Sequence, residues 1–277
     1  MSIYINDNLL EDRRFLCGEH YVKIPTIWVT DHVKILAYLQ DADSIVMLLL
    51  VVDAVRRINL KTTITLVIPY IPYARQDKVY TEGESLSVAV IANLINSLNC
   101  ESVVLYDPHS DLTLNLIKRC EIVSLHDIIL KSPIAKKIVD ENLILVSPDK
   151  GAKNKIINLA GALKISPTNI LYASKFRDPI KKNIIDFKID GEVNGENFIL
   201  LDDICDAGNT FIQLSKMLRK FNAKKIYLYA THAILSKGLG DIKEHFEHMY
   251  CYHTFLNLND SNKNFLTCFS NFKVGCS

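Results

Sequence analysis

The feature that most constrains the fold is an alternation of short apolar runs with longer amphipathic stretches. The runs are rich in Val, Ile and Leu and are bounded by Pro, Asp or Gly, which is typical of buried strands. Two parallel strands must be joined by a long crossover, usually a helix, so the alternation predicts an α/β fold with mainly parallel sheets. The predicted strands are residues 63–68, 102–106, 143–147, 169–173, 198–201 and 225–230, and the predicted helices are residues 85–98, 128–139, 152–163 and 211–221.

The longest apolar run, residues 45–52, is predicted to be a helix. Its periodicity is ambiguous, but the segment continues through Arg56 and Arg57 without a turn residue. Asp43 or Ser44 could cap the start of this helix, and the two arginines would lie favourably near its C-terminal end. A membrane helix needs roughly 20 apolar residues, so the run does not predict a membrane span.

The charges of the chain are balanced, with 32 Lys and Arg, 31 Asp and Glu, and a net charge of +1. This balance gives no reason to expect nucleic acid or a membrane as a partner. The seven cysteines lack C-x-x-C or Cys/His spacing, which is typical of reduced cytosolic thiols and argues against a zinc site. The first residues lack the basic and apolar regions of a signal peptide. We therefore expect a soluble cytoplasmic protein.

The same plan of strand, polar loop and helix occurs in both halves of the chain. Asp107-Pro-His109 follows a predicted strand in the first half, and Asp202-Asp203 follows one in the second. Ligands of open α/β sheets bind at the carboxyl ends of strands. We therefore predict two domains, residues 1–126 and 127–277, with a cleft between their loop ends and with the last residues able to pack back on the first domain.

The most informative segment runs from the apolar strand at residues 198–201 into a polar loop and a helix. The strand delivers the adjacent carboxylates of Asp202 and Asp203, and the loop Asp206-Ala-Gly-Asn-Thr210 opens the helix. Backbone amides of such a loop suit a phosphate group, and paired carboxylates suit ribose hydroxyls and hydrated Mg²⁺. A plain acidic turn with an Asp cap would show the same residues.

This segment resembles the phosphoribosyl-diphosphate-binding loop that phosphoribosyltransferases share with ribose-phosphate diphosphokinases. Three further segments favour the diphosphokinases. Residues 69–79, with Gly83-Glu-Ser-Leu-Ser87 after them, resemble the ATP-site signature, Asp107-Pro-His109 resembles the metal-binding Asp-x-His, and residues 146–153 resemble the diphosphate loop. The order of the motifs is right, and the resemblance runs from about Phe15 to Ser236. The chain is identified as a short, divergent member of the ribose-phosphate diphosphokinase, or phosphoribosyl-diphosphate synthetase, family.

The resemblance implies two phosphoribosyltransferase-like domains, the first for ATP and the second for the ribose phosphate. It implies Mg²⁺-dependent transfer of the β,γ-diphosphate of ATP to the C1 hydroxyl of a 5-phosphorylated ribose, with release of AMP. The implied ATP-binding residues are Phe15, Glu19, Arg75, Gln76, Asp77 and His109. The implied ribose-phosphate site is Asp202, Asp203, Asp206, Ala207, Gly208, Asn209 and Thr210. The implied diphosphate loop is Asp149, Lys150, Gly151 and Ala152, the implied metal ligands are His109, Asp149, Asp202 and Asp203, and the implied catalytic pair is Lys175 and Arg177 on a mobile loop.

Several of these motifs have plainer interpretations. The planar fork of Arg75 suits phosphate oxygens, but a surface Arg-Asp pair would look the same. A lone histidine such as His109 is more often a structural hydrogen-bonding group than a ligand. Lys175-Phe-Arg177 could be part of a solvated basic hairpin. The Phe15–Glu19 segment could be an ordinary surface turn, and its Cys17 replaces the family's amide or carboxylate.

Two departures from the family bear on the acceptor. Ala207 removes a hydroxyl from the phosphate loop, and Asn209 adds bulk where glycine is usual. A changed loop could accept the diphosphate of ADP-ribose, although ribose 5-phosphate is the default expectation. The motifs also leave room for a phosphoribosyltransferase or for a non-catalytic regulatory relative. The resemblance further implies a homo-oligomer, a dimer or a hexamer, because the Phe15 segment of the family reaches a neighbouring subunit.

Overall fold

The computed structural model describes residues 2–149, 151–177, 184–190 and 197–270. The chain passes from a first compact unit to a second between Val123 and Ser124, whereas the sequence analysis placed the boundary after residue 126. Ser124 caps the first helix of the second unit, because its hydroxyl accepts a hydrogen bond from the Asp127 amide. The predicted packing of the last residues on the first domain lies outside the described residues.

The first unit is built on a six-stranded sheet in the order β2-β1-β3-β4-β5-β6. Strands β3 to β6 are parallel, and β1 is antiparallel to both β2 and β3. The elements are β1 (Ser2–Ile5), β2 (Asn8–Leu9), β3 (His32–Tyr38), α1 (Ala42–Ile58), β4 (Thr63–Ile68), α2 (Ser87–Ser97), β5 (Ser102–Tyr106), α3 (Asp111–Leu116) and β6 (Cys120–Val123), with a 3₁₀ turn at Thr26–Trp28.

Helix α1 confirms the helical prediction for residues 45–52, with a different cap. Asp41 is the N-cap, and its carboxylate accepts a hydrogen bond from the Ser44 amide in a capping box. The predicted caps Asp43 and Ser44 were wrong, because the helix begins one residue before Asp43. Ile45, Leu48 and other apolar residues of α1 are buried against the sheet in one core.

The second unit is built on a seven-stranded sheet in the order β13-β12-β11-β10-β7-β8-β9. The described pairings are parallel except for the antiparallel pair β8 and β9. The elements are α4 (Leu125–Leu130), α5 (Pro133–Asp140), β7 (Ile144–Ser147), α6 (Lys153–Leu163), β8 (Ile170–Arg177), β9 (Ile184–Asp190), β10 (Asn197–Cys205), α7 (Asn209–Lys220), β11 (Lys225–Ala233), α8 (Gly240–Lys243), β12 (His248–Thr254), α9 (Asp260–Lys263) and β13 (Leu266–Cys268), with a 3₁₀ turn at Pro167–Asn169.

The strand order of the second sheet reverses between β7 and β10. From β7 the chain moves to β8 on one side, and it then returns to the other side of β7 to form β10, β11, β12 and β13. Ile144 and Val146 of β7 pair with Phe198 and Leu200 of β10. Connections that leave neighbouring strands in opposite directions open a crevice at their carboxyl ends, where ligands of such sheets bind. The reversal therefore marks the loops after β7 and β10.

The predicted fold class is confirmed, since both units are mainly parallel sheets flanked by helices. One predicted helix, residues 128–139, was wrong in its bounds. The segment forms α4 and α5, because Ser132 is the N-cap of a new helix that starts at Pro133. Proline has no amide proton and fits the first turn of a helix far better than its interior.

Among the helices of the described residues, none is both long and apolar enough to span a bilayer. The described cysteines are free thiols: Cys17, Cys100, Cys120, Cys205, Cys251 and Cys268.

Candidate active site

The loop after β7 is organised by the side chain of Asp149. Its Oδ1 accepts hydrogen bonds from the amides of Gly151 (2.9 Å) and Ala152 (3.1 Å). The hydroxyl of Ser147, at the end of β7, donates to the backbone carbonyl of Asp149 (2.8 Å). These bonds point two amides at one anionic oxygen, just before helix α6 begins. Lys150 of the predicted diphosphate loop lies outside the described residues.

The two aspartates after the central strand do not stand side by side in a loop, as the sequence suggested. Strand β10 continues to Cys205, so Asp202 and Asp203 are strand residues. Successive side chains of a strand leave the sheet on opposite faces, and accordingly Asp203 is buried while Asp202 is half-buried. The amide of Asp203 donates to Oδ1 of Asp202 (3.0 Å). The two carboxylates therefore lie on opposite faces of the sheet near the carboxyl end of β10.

Gly208 makes the turn from β10 into α7. Its φ of 78° lies in the left-handed region, and a Cβ added there would lie 2.9 Å from both Cγ1 and Cδ1 of Ile242. Helix α7 starts at Asn209, two residues before the predicted start, because Gly208 already provides the turn. No side chain caps this helix, and its first turn contains no acidic residue. Its N-terminal amides and dipole therefore suit a phosphate group.

The remaining predicted members of this loop lie around the same turn. Asp206 and Ala207 are half-buried between the strand and Gly208, while Asn209 is exposed and Thr210 half-buried in the first turn of α7.

Cys205 lies within this acidic segment and has no role as a nucleophile. Burial, together with the nearby charges of Asp202 and Asp206, raises the pKa of its thiol far above the usual value. Only the thiolate is a good nucleophile, so the buried thiol of Cys205 is inert.

Lys175 and Arg177 lie in a strand, not in the loop that was predicted for them. Strand β8 continues to Arg177 and pairs with β9, with Lys175 opposite Phe187 and a register shift between Phe176 and Arg177. The sequence analysis did not predict β9, although apolar residues alternate with charged ones along this strand. Residues 178–183, predicted to continue the mobile loop, lie outside the described residues.

A cavity of about 200 Å³ lies beside the carboxyl end of β7 and the middle of β8. The ammonium group of Lys153, in the first turn of α6, lies 4.6 Å from the centre of the Tyr172 ring. Sequence reasoning singled out neither residue, although Lys153 directly follows the predicted diphosphate loop. The residues lining the cavity are Asp149, Lys153, Tyr172, Ala173, Ser174 and Asp190.

In the first unit, the predicted ATP-site loops follow two neighbouring strands. Arg75, Gln76 and Asp77 lie between β4 and α2, and the Gln76 side-chain oxygen accepts a hydrogen bond from the Ser87 hydroxyl at the start of α2. His109 follows β5 and is exposed. Because β4 and β5 pair in parallel, both loops lie at the same edge of the sheet.

Asp107, two residues before His109, is buried directly after strand β5. It is only 2% exposed, and its amide donates to the carbonyl of Val123 (2.8 Å) at the end of β6. The bond fixes the start of the loop that carries His109.

The predicted adenine-binding segment forms a tight turn with Gly18 in the left-handed region. The Phe15 amide donates to the Glu19 carbonyl (2.9 Å), and the exposed Phe15 ring packs on Tyr21 at 5.6 Å between ring centres. Arg14 binds the carboxylate of Asp43 at 2.7 Å, and this bond lowers the pKa of Asp43. Asp43 is in the first turn of α1, after the carboxyl end of β3, so this turn joins the same edge as the β4 and β5 loops.

Two buried histidines of the second unit were missed by the sequence analysis. His232 and His253 are cross-strand partners on β11 and β12, and both are 2% exposed. Burial, and then the neighbouring His232, lowers the pKa of His253 to about 3. His253 is therefore neutral at physiological pH, and no motif in the sequence marked it.

The donor chemistry of these loops fits Mg²⁺ better than zinc. No group of three or more His, Cys, Asp and Glu side chains within the described ranges is arranged as a metal cage. Mg²⁺ needs no such cage, since it binds through one or two carboxylates and completes its shell with water and phosphate oxygens. Asp149 and Asp202 offer carboxylates of this kind at the carboxyl ends of β7 and β10.

Two family models match the chain. The N-terminal domain of ribose phosphate pyrophosphokinase matches residues 4–98, and the phosphoribosyl synthetase-associated domain matches residues 159–247. The first stretch contains the Phe15 turn and the Arg75 loop, and the second contains β8, β10 and the start of α7. His109 and Asp149 lie between the two stretches.

Curated relatives and a solved structure agree with these models. The chain is 30% identical to a ribose-phosphate pyrophosphokinase of Thermococcus kodakarensis over 232 residues, which cover 83% of this chain and 79% of the relative. It is 32% identical to one of Ralstonia nicotianae over 238 residues, covering 81% and 70%. The crystal structure of phosphoribosylpyrophosphate synthetase from Mycobacterium smegmatis shares the fold, with a TM-score of 0.78, 24% identity, and coverage of 94% of this chain and 85% of that one. The chain thus belongs to the ribose-phosphate pyrophosphokinase family of ATP-dependent transferases.

Proposed function

We propose that this protein transfers the β,γ-diphosphate of ATP to the C1 hydroxyl of ribose 5-phosphate, giving phosphoribosyl diphosphate and AMP. The observation that carries the proposal is the pair of phosphate-binding loops beside the reversal of strand order. After β7, Gly151 and Ala152 direct two amides at an anionic oxygen. After β10, α7 begins without a side-chain cap. One loop suits the diphosphate and the other suits the 5-phosphate.

The reaction needs positioning more than covalent chemistry. The C1 oxygen of the ribose attacks the β-phosphorus of ATP, and the bond from that phosphorus to the α,β-bridging oxygen breaks, so that AMP leaves. Such transfers depend on orientation and on stabilisation of phosphate charge. The N-terminus of α7, with Gly208, would hold the 5-phosphate. The family resemblance assigns the ribose hydroxyls to Asp202 and Asp203, and Asp202 is the more exposed of the two.

The remaining roles follow the family resemblance. Arg75 and Gln76 would bind ATP, with Phe15 packing on its adenine. The catalytic pair Lys175 and Arg177 would stabilise charge on the transferred group and on AMP. His109 and Asp149 would hold Mg²⁺, which when bound neutralises phosphate charge and orients the phosphates.

Ribose 5-phosphate is the acceptor that the comparisons support. The relatives described above are named for ribose phosphate, and their names give no support to ADP-ribose. The departures at Ala207 and Asn209 also matter less than the sequence suggested. Asn209 is the first residue of α7, and a helix N-terminus binds phosphate through backbone amides, which both residues keep.

A product assay tests the proposal. The full chain is incubated with ATP and Mg²⁺ and with either ribose 5-phosphate or ADP-ribose, and the products are separated and identified by mass spectrometry. We expect AMP and phosphoribosyl diphosphate to form in equal amounts, and only with ribose 5-phosphate. Turnover with ADP-ribose alone would overturn the acceptor. Mg-ATP binding without turnover would favour a regulatory relative. Release of pyrophosphate from added phosphoribosyl diphosphate and a nucleobase, without consumption of ATP, would favour a phosphoribosyltransferase.

The exposed turn at Phe15 supports a homo-oligomer as the active form. Phe15 is 56% exposed, and its neighbour Leu16 is fully exposed. In the family this segment reaches the ATP site of a neighbouring subunit. We expect light scattering to give the mass of a dimer or hexamer, and a monomeric mass at the concentration of full activity would contradict this part of the proposal.

The metal assignment gives a second prediction. Asp149→Asn keeps a side-chain oxygen for the two loop amides and removes only the charge, so we expect the Mg²⁺ concentration for half-maximal activity to rise about tenfold. His109→Ala should raise it in the same direction. Asp140→Asn, which alters an exposed ion pair with Lys136 on α5, is the control and should leave the Mg²⁺ titration unchanged. Unchanged titrations in both site variants would show that neither residue holds the metal.

A further inference from the structure

The cavity beside the end of β7 and the middle of β8 contains a lysine that the family motifs do not explain. Lys153 lies one residue beyond the loop amides of Gly151 and Ala152, and its ammonium group lies over the face of Tyr172. An aromatic face attracts a cation through the quadrupole of its ring, and the cation keeps its full charge. The contact therefore holds the ammonium group in place without neutralising it.

The carboxylates of the cavity have partners of their own. Asp190 Oδ1 lies 3.2 Å from the ammonium group of Lys188, and Asp149 Oδ1 accepts the two loop amides. Lys153 forms no ion pair with any of the residues that the structure describes. Among the residues that line the cavity, Lys153 is thus the charged group best placed to bind an incoming anion.

The strand order indicates which anion this is. The strands run in the order β10, β7, β8, with the ribose-phosphate loop after β10 and the diphosphate loop after β7. A diphosphate that joins the ribose at one end must direct its outer phosphate away from β10. The far side of β7 is β8, where Lys153 and Tyr172 line the cavity.

We propose that Lys153 binds the outer phosphate of the transferred diphosphate, which is the γ-phosphate of ATP before transfer, and that Tyr172 positions its ammonium group. The identity of the ligand rests on the proposed function. The outer phosphate takes no part in bond making or breaking. Lys153 therefore contributes equally to binding of substrate and transition state, and its loss should raise KM for ATP and leave kcat nearly unchanged.

The kinetic test compares Lys153→Gln with Lys153→Arg in the full chain. We expect the glutamine variant to raise KM for ATP about tenfold, because a hydrogen bond to a charged group is lost, without changing KM for ribose 5-phosphate. The arginine variant should restore most of the affinity. Lys216→Gln, on an exposed position of α7, is the matched control. A rise in KM for ribose 5-phosphate instead of ATP would overturn the proposal, because the cavity would then bind the acceptor.

A binding measurement separates this proposal from the proposed function. Titration calorimetry with Mg-pyrophosphate requires no turnover, and Lys153→Gln should weaken binding about tenfold while Lys216→Gln does not. Tyr172→Phe should keep the affinity and Tyr172→Leu should lower it. If the natural protein forms no AMP, the proposed function fails, and the calorimetry still decides the role of Lys153. Equal pyrophosphate affinity in the natural protein and Lys153→Gln would overturn that role.

Discussion

Replacement of Gly208 by alanine is expected to lower the free energy of unfolding of the second unit by about 2–5 kcal/mol. The left-handed φ of 78° strains any residue with a Cβ, and the added carbon would lie 2.9 Å from two atoms of the Ile242 side chain. Relief of that clash must shift the buried Ile242 side chain or the first turn of α7. Strain at this turn would also displace the amides proposed to hold the 5-phosphate, so we expect turnover to fall even where the variant folds. Denaturant unfolding and the AMP assay measure the two effects.

A matched glycine serves as the control for this change. Gly161 lies inside α6, and a Cβ added there would meet nothing within 4 Å. Alanine is a better helix residue than glycine, so Gly161→Ala should stabilise the protein by about 0.5–1 kcal/mol. If Gly161→Ala raises the free energy of unfolding and Gly208→Ala lowers it, the destabilisation comes from the turn at Gly208 and not from the added methyl group as such. A stable, fully active Gly208→Ala variant would show that the loop after β10 does not need this geometry.

Replacement of Lys175 or Arg177 by alanine is expected to lower kcat by about 10²–10³, because each would remove a cation that stabilises charge in the transition state. The two residues lie in the last part of strand β8, which ends at Arg177 at the carboxyl edge of the sheet. Strand β8 is the neighbour of β7 in this sheet. We expect little change in melting temperature. Single-turnover kinetics with saturating ATP and ribose 5-phosphate measure the chemical step directly.

Lys225→Ala is the control for the catalytic pair. Lys225 is the first residue of β11 and is exposed at the amino-terminal edge of the same sheet, away from the loops. Its removal should leave kcat unchanged. If Lys175→Ala lowers stability and activity in parallel, the lysine supports the β8–β9 hairpin and has no direct role in transfer.

The parallel strands were predictable where their apolar composition and the residues that end them indicate the same bounds. Strands β4 and β5 have the predicted bounds, because each is a run of β-branched and apolar residues that ends at a proline or an aspartate. Such runs are typical of parallel strands, whose faces are covered by helices. The placement of the candidate site at their carboxyl ends then followed from the general behaviour of α/β sheets.

The edges of the sheets were not predictable in this way. Strand β9 alternates and pairs antiparallel with β8, and β12 contains His, Met, Tyr and Cys where the core strands have Val, Ile and Leu. Tertiary pairing decides such segments, since their composition is compatible with several structures. For the same reason β10 extends through two aspartates that look like the start of a loop, because β11 continues to pair with Asp202, Ile204 and Cys205.

The arrangement of the candidate site depends on information that no motif contains. The sequence predicts phosphate loops after two strands, but only the sheet order shows that β7 and β10 are neighbours. The proposed role of Lys153 could not be predicted from the sequence for a related reason. Its role depends on Tyr172, which is close in space but lies on the next strand along the chain.

The hydrogen bonds of Asp149 have a consequence for how fast ligands exchange. Its carboxylate occupies the position that a phosphate oxygen would take on the amides of Gly151 and Ala152. These two amides thus have an anionic acceptor before a ligand arrives, and binding would replace one acceptor by another at little extra cost in ordering them. The reverse exchange returns the carboxylate to the amides as the diphosphate departs. An internal competitor of this kind would lower affinity and favour rapid product release, which would suit the proposed reaction, because its product keeps the diphosphate.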